Sequence, residues 1–585
     1  MKTLMLGNEA VARGAYEAGC TVAAAYPGTP STEITENIAK YSEIYSEWSP
    51  NEKVALEVAI GASLAGARAI CSMKHVGLNV AADPLFTVSY TGINGGLVIV
   101  VADDPGMHSS QNEQDTRHYA RAAKVPMLEP SDSMECKEYV KLAFEISENF
   151  DTPVIVRLST RIAHSRSIVE TNERFGYQLK DYVKDIRKYV MIPSNARSRH
   201  IEVEKRVAEL REYSESSPVN QMQMNSGEIG VLTSGISYQY AKEALGEDIS
   251  YQKLGMVFPL PERQIREFAQ KVKKLYIIEE LDPYLEDYVH ALGIEATGKG
   301  ILPLTGEYNK RLIKECVNGK SDDESQSASS DLPVRPPVMC PGCPHRGVFY
   351  IFNKLKLNVI GDIGCYSLGA LPPAEAMDTC VCMGAGVGMA HGMEKARGRD
   401  FAARTVAVIG DSTFIHSGIT GIIDIAYNGG TSTVIVLDNS ITGMTGHQNN
   451  PASGFNIKGD PATRVSIENV AAAVGFKRIR IVDPFDLDKV EKTLKEELNA
   501  DEPSLIIARR PCALLKGVEF GGPLRIIPEK CRSCNACMRL GCPAITKTGD
   551  KIYINESLCV GCMLCVKVCR FDAIGKIGKD GAAND

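Results

Sequence analysis

The chain has 585 residues, a net charge of −7, 44% hydrophobic and 23% charged residues, the balance of ordinary globular domains. That length exceeds one core and points to about three to four domains, and the acidic balance argues against a nucleic-acid partner, which would call for a basic face. No run of eighteen apolar residues occurs, and the N-terminal stretch meets Asn8 and Glu9 too early for a signal peptide, so no membrane partner and a cytoplasmic location are expected.

In chain order, apolar runs at Thr21–Tyr26, Gly96–Ala102, Pro153–Leu158, Ile229–Thr233, Thr405–Ile409, Thr433–Leu437 and Leu505–Ala508 alternate with helical stretches. Continuous apolar strands between helices predict parallel sheets covered on both faces, with ligands gathering at the strands' C-terminal ends. The expected fold class is therefore α/β and multidomain, with units at residues 1–190, 228–315 and 338–525. A charged helical connector spans 199–226, and residues 316–337 read as a Ser-, Asp- and Pro-rich linker that cannot bury a core. A small cysteine-rich domain follows at 526–575, and residues 576–585 read as a flexible tail.

Two segments carry chemistry in the third unit. The run Thr405–Ile409 delivers Gly410-Asp411-Ser412, and the next apolar run ends at Asp438-Asn439, with Asn439 28 positions after Asp411. A carboxylate and an amide oxygen at the ends of adjacent strands supply hard ligands for magnesium. The Gly-rich segment Met383–Gly388 lies where a diphosphate-facing loop would stand, with Gly384 and Gly386 as candidates; small residues for close helix packing explain it equally well.

Eight of the eighteen cysteines fall in the last 55 residues, as Cys531-x-x-Cys534-x-x-Cys537-x4-Cys542 and Cys559-x-x-Cys562-x-x-Cys565-x3-Cys569. This is the spacing of a two-cluster bacterial ferredoxin (an α+β module), in which the fourth cysteine of each run ligates the other cluster. One 4Fe-4S cluster then takes Cys531, Cys534, Cys537 and Cys569, and the other takes Cys542, Cys559, Cys562 and Cys565. The first run departs from the usual pattern by having four residues before its last cysteine. Two zinc knuckles are the bland alternative.

The Asp411–Asn439 pair resembles the thiamine diphosphate (TPP) motif, which implies magnesium held by Asp411, Asn439 and the Ile441 carbonyl, with Gly410 and Ser412 at the diphosphate. A TPP site also needs a glutamate to drive the aminopyrimidine into its imino form. Glu52, nine residues before Gly61, matches the family pattern; Glu57 is the runner-up, read as a solvated residue. Tyr26-Pro27-Gly28-Thr29-Pro30-Ser31-Thr32 resembles the segment by which 2-oxoacid:ferredoxin oxidoreductases contact the substrate carboxylate, which makes Thr29 a substrate residue, with His75 and Arg117 as further guesses.

Cys340-Pro341-Gly342-Cys343-Pro344-His345-Arg346 and Gly361-Asp362-Ile363-Gly364-Cys365-Tyr366 extend the likeness over nearly the whole chain. The order resembles the large subunits of the indolepyruvate-type branch of that family: a pyrimidine-type TPP domain, a transketolase-C-like domain, a diphosphate-type TPP domain and a ferredoxin. The resemblance implies ferredoxin-dependent oxidative decarboxylation of an aryl 2-oxoacid with coenzyme A. It also implies external ferredoxin as acceptor and a separate small beta subunit, of gamma type, in a hetero-oligomer. A third 4Fe-4S cluster on Cys340, Cys343, Cys365 and Cys512 is implied by four cysteines in comparable positions of relatives, with Cys380 and Cys382 as substitutes. Other 2-oxoacids, a non-redox TPP lyase with a fused ferredoxin, and a non-catalytic electron-transfer subunit are the competing readings.

Overall fold

The computed structural model describes residues 1–319, 333, 336–577 and 583–584. The chain forms two compact units, Met1–Ser329 and Ser330–Asp585. Most of the expected linker, and most of the tail, lie outside the described residues. Within the described part, the helix Lys310–Asn318 runs on past the expected linker start at residue 316, and the strand Ile574–Ile577 crosses the expected tail boundary.

The first unit is built on a seven-stranded sheet. Its strand order is Met256–Phe258, Met127–Leu128, Val154–Ser159, Leu97–Asp103, Ala69–Lys74, Val22–Ala25 and Tyr45–Trp48, parallel throughout except for the first pair. Burial on both faces shows in how one strand feeds two cores: Leu97, Ile99 and Val101 join one cluster, while Val98, Val100 and Ala102 join the other. That is the two-residue period of a strand with no solvated face.

A second sheet, ordered Lys274–Ile278, Ile229–Ser234, Ser250–Leu254 and Gln221–Gln223, packs into the same unit. Leu254, Phe268 and Ile277 share a core with Ile99 and Met127. Two expectations are corrected here. The connector helix ends at Ser216 and Gln221–Gln223 is already an antiparallel edge strand of the second sheet, so that sheet begins before residue 228. The segment Met256–Phe258 leaves it altogether and pairs with Met127–Leu128 of the first.

The second unit carries a five-stranded, all-parallel sheet ordered Asn358–Ile360, Thr405–Gly410, Thr433–Asp438, Ser504–Arg509 and Arg478–Val482. The register sets Gly410 beside Leu437, so Asp411 and Asn439 leave adjacent strands at the same edge. The cysteine-rich module is a hairpin, Ile545–Thr548 with Lys551–Ile554, and a small sheet in which Leu524–Ile526 pairs with Ile574–Lys576. Its first strand thus starts just before the expected boundary at 526. Its Leu540, Ile545, Ile552 and Leu564 share one core with Phe349, Phe352 and Val408 of the sheet region. No helix among the described residues is long and apolar enough to cross a membrane.

Candidate functional site

In the second unit, the side chains at the strand ends form one connected polar set. Asp411 is buried, and the Asn450 amide donates to its Oδ2 at 3.0 Å. Burial first, and the neighbouring Asp438 carboxylate second, push the Asp411 carboxyl up to about 7. Asp438 is itself committed to Arg509 at 2.6 Å. A buried carboxyl beside a second acid, with the Asn450 amide donating to it, is a donor set short of positive charge, which is what a divalent cation supplies.

Asn439 leaves the next strand with its Oδ1 accepting from the Ile441 amide at 3.3 Å and its Nδ2 facing His345 Nε2 at 3.4 Å. Burial pushes His345 down to about 4, so its imidazole is neutral and can accept. Ser440, between them, holds φ at 62°, a left-handed value uncommon for a residue with a side chain. This bend lies in the segment where Asn439 and the Ile441 carbonyl are expected to serve one ion. Ser412 Oγ accepts from Thr442 at 3.0 Å, tying the two strand ends together.

The glycine segment packs closely on its neighbours. The Gly384 amide donates to Asp362 Oδ1 at 2.8 Å, and a Cβ at Gly386 would lie 2.8 Å from the Gly361 carbonyl oxygen. Gly386 thus packs against the end of the strand Asn358–Ile360, while Gly384 holds φ at 82° with a Cβ there 2.5 Å from Ser417 Cβ. Asp362 also accepts from Tyr366 Oη at 2.8 Å, and that oxygen accepts from the Gly410 amide at 2.8 Å. Burial pushes Asp362 up to about 6. Asp362, Asn450 and His345 were given no role from sequence; the first and last lie in motifs already noted, whereas Asn450 sits in a loop with no pattern to flag it.

The tail cysteines gather in two sets. Cys531, Cys534, Cys537 and Cys569 line one cavity, together with Ile526, Ile552 and Phe571. Cys542, Cys559, Cys562 and Cys565 line another, together with Pro341, Gly342 and Cys343. Each set takes its fourth member from the other sequence run. Cys340, Cys343, Cys365 and Cys512 also come together: the Cys365 thiol is pushed up to about 11 by burial, then by Cys512 and Cys340, and Cys343 up to about 12 by burial, with Cys340 and Cys365 among its neighbours. Cys343 is buried, Cys365 and Cys512 are half-buried and Cys340 is exposed; a metal among them would hold such thiols as thiolates. Cys380 and Cys382 lie beside each other and Asp362 instead.

In the first unit, Glu52 opens the helix Glu52–Leu64, capped by Asn51, whose side chain accepts from the Val54 amide at 2.9 Å. Glu52 lies on the buried face with Ala55, Leu56, Ala59 and Ser63, and is only 4% exposed. Glu57, off that face, is solvated and paired with Lys53. A Cβ at Gly77 would lie 2.6 Å from Glu52 Oε1, so glycine there makes room for the carboxyl. Thr29 follows the neighbouring strand Val22–Ala25, and its carbonyl accepts from Ser109 Oγ at 3.3 Å. His75 is buried, with Nε2 3.1 Å from the Asn112 carbonyl and Nδ1 lacking a partner among the described residues.

Arg117 does not serve as expected. It is 1% exposed, held by Asp115 at 2.5 Å and Glu279 at 2.5 Å, with further bonds to the Glu280 and Asp282 carbonyls. A guanidinium this buried and already neutralised by two carboxylates is poorly placed to receive a substrate anion. It pins the second sheet of this unit to the first.

Residues 13–216 match the family model "Pyruvate flavodoxin/ferredoxin oxidoreductase, thiamine diP-bdg", residues 362–508 match "Thiamine pyrophosphate enzyme, C-terminal TPP binding domain", and residues 552–575 match "4Fe-4S binding domain". Thiamine diphosphate and iron–sulfur are thus cofactors of this chain. Curated relatives named "Indolepyruvate oxidoreductase subunit IorA" align along nearly all of it. The protein from Archaeoglobus fulgidus is 41% identical over 98% of this chain and 97% of its own length. Those from Methanothermobacter thermautotrophicus and Pyrococcus abyssi are each 39% identical, over 99% and 98% of this chain and 98% and 97% of theirs. The chain belongs to the indolepyruvate oxidoreductase IorA family of thiamine diphosphate-dependent 2-oxoacid:ferredoxin oxidoreductases.

Proposed function

We propose that the chain is the catalytic subunit for oxidative decarboxylation of aryl 2-oxoacids. A 2-oxoacid, coenzyme A and two oxidised ferredoxins give an arylacetyl-CoA, carbon dioxide, two reduced ferredoxins and a proton. The observation that carries this reading is the near-full-length likeness to relatives named for indolepyruvate. Those relatives are each named as a subunit, which supports a partner subunit, read here as the small gamma-type chain. The regions would be a pyrimidine-type domain at 1–190, a transketolase-C-like domain at 228–315 extended back to Gln221, a diphosphate-type domain at 338–525 and a two-cluster ferredoxin from about 526 to 575.

Bound thiamine diphosphate supplies the electron sink that lets carbon dioxide leave a 2-oxoacid. The chain's own residues then have three tasks. Asp411, Asn439 and the Ile441 carbonyl would hold magnesium against the diphosphate. Glu52 would hold a proton at the aminopyrimidine ring. The two tail sets would each carry a 4Fe-4S cluster and pass single electrons outward to ferredoxin.

The deciding assay is anaerobic turnover of indolepyruvate, phenylpyruvate, pyruvate and 2-oxoglutarate with coenzyme A and ferredoxin, with and without the small subunit. Aryl substrates are expected to lead by at least tenfold. Equal or better rates with pyruvate or 2-oxoglutarate would refute the aryl assignment, and carbon dioxide release without ferredoxin reduction would refute the redox one.

The raised Asp411 carboxyl makes magnesium loading pH-dependent. Above about 7 the carboxylate is already ionised; below it, each bound magnesium must displace a proton. Apparent magnesium affinity is therefore expected to fall by about tenfold per pH unit below 7, with calorimetry in two buffers showing close to one proton released at pH 6 and almost none at pH 8. Asp411→Asn should flatten that profile while weakening binding; an unchanged profile would remove Asp411 as ligand.

Crossed ligation of the tail clusters is tested by Cys569→Ala. The cluster otherwise held by Cys531, Cys534 and Cys537 is expected to lose its iron site, while the Cys559 set keeps its spectrum. Loss of the Cys559 cluster instead would show uncrossed ligation.

A further inference from the structure

Lys74 is the last residue of the strand Ala69–Lys74. On one side lies Val22–Ala25, which leads to Gly28 and Thr29; on the other lies Leu97–Asp103, which leads to Asp104. This is the C-terminal edge of a parallel sheet, where ligands bind. Lys74 is 9% exposed. Its stem packs under the turn at Gly28, where an added Cβ would lie 3.2 Å from Lys74 Cγ. Its ammonium donates to the Ser109 carbonyl at 3.0 Å, and Ser109 Oγ in turn donates to the Thr29 carbonyl at 3.3 Å.

An ammonium has three donors, and one is accounted for here. Among the described residues no carboxylate forms an ion pair with it. The two acids whose charge reaches it are Asp104 and Glu52. Asp104 is committed elsewhere: Oδ2 accepts from the Ser109 amide at 2.8 Å and Ser110 Oγ at 2.6 Å, and Oδ1 from Thr160 Oγ1 at 2.6 Å. Burial consequently holds the Lys74 ammonium below the ordinary lysine range, with Asp104 and Glu52 opposing that shift. A buried cation without a paired anion is costly, and an incoming carboxylate would offset that cost. Of the other candidates read from sequence, Arg117 is held by Asp115 and Glu279, while His75 has Nε2 against the Asn112 carbonyl and only Nδ1 without a partner among the described residues.

We propose that Lys74 is the cation that receives the carboxylate of the 2-oxoacid, with Thr29 beside it. The proposal rests on the reading of this chain as a 2-oxoacid oxidoreductase. The carboxylate is present in the bound 2-oxoacid and throughout attack on its keto carbon, before carbon dioxide leaves, so the Lys74 contact is made about equally in both and belongs to substrate binding. Its loss should therefore appear in KM rather than kcat.

The test uses the complete complex carrying Lys74→Met, a change of similar length that removes the buried charge. KM for phenylpyruvate is expected to rise about 10- to 100-fold, the range for a hydrogen bond to a charged group, while kcat changes less than threefold. Inhibition by phenylacetone, which keeps the aryl ketone and lacks the carboxylate, is expected to be unchanged, and Lys74→Arg should recover part of the KM. Iron content and TPP binding report on folding. An unchanged KM overturns the proposal, and so does a phenylacetone inhibition constant that rises in step with KM, because a lysine that merely props the Ser109 loop would weaken both. Failure of the underlying reading shows separately, as a wild-type complex that reduces no ferredoxin with any 2-oxoacid, and that result overturns both.

Discussion

Glu52→Gln is expected to lower 2-oxoacid turnover by about 10²- to 10⁴-fold while TPP binding and iron content stay close to wild type. The substitution keeps the shape of a side chain that is 4% exposed and removes only its ability to hold and release a proton. Asn51 still caps the helix and Gly77 still leaves room for the side chain, so the local fold should survive. Glu57→Gln is the matched control. That carboxylate is solvated and paired with Lys53 one turn earlier, an interaction worth little at a surface, so turnover should be near normal. A crippled Glu57→Gln beside a healthy Glu52→Gln would reverse the assignment. Exchange of the thiazolium C2 proton with deuterium, followed by NMR, separates activation from binding: it should slow in Glu52→Gln at full TPP occupancy.

The strands that could be read from sequence are those buried on both faces, because there the run of Val, Ile and Leu is uninterrupted. Leu97–Asp103, Val154–Ser159 and Thr433–Asp438 fall within one residue of the expected bounds. Ala69–Lys74 is equally buried but escaped, since Cys71, Ser72 and Lys74 break its apolar run. Tyr45–Trp48 and Arg478–Val482 escaped for the opposite reason: both are edge strands, partly solvated, whose polar residues read as loop. The sets of tail cysteines followed from spacing alone, because ligand spacing is a local property of the chain. Arg117 could not be read that way. The Glu279 carboxylate and the Glu280 and Asp282 carbonyls that occupy it lie more than 160 positions away and meet it only through packing of the second sheet. Lys74 stood next to His75 and drew no attention, because nothing in a sequence reveals that an amine is buried without an ion pair.

Cys365→Ala in the full chain is expected to remove one cluster of three, about a third of the iron, and to abolish ferredoxin reduction by substrate. The two tail clusters should remain reducible by dithionite. Cys340 and Cys343 lie just before the helix His345–Leu355, Cys365 opens the short turn after the strand Asn358–Ile360, and Cys512 follows the strand Ser504–Arg509. Cys365 and Cys512 thus follow strands of the five-stranded sheet, and the mutual influence of the thiols on ionisation places Cys340 and Cys343 close to them. The Cys512 amide donates to the Asn439 carbonyl at 3.0 Å, and a Cβ at Gly443 would lie 3.3 Å from Cys365 Sγ, so this set borders the loop expected to hold magnesium. On its other side, Pro341, Gly342 and Cys343 help line the cavity of the Cys542 set. Arg346 fastens that junction by donating to the Met339 and Cys340 carbonyls at 2.6 and 3.0 Å and to the Leu540 carbonyl at 2.6 Å. A cluster there would accept electrons singly and pass them to the tail. Full iron and normal ferredoxin reduction in Cys365→Ala would sink the idea, and iron loss in Cys380→Ala with none in Cys365→Ala would move the ligand to the other thiol pair.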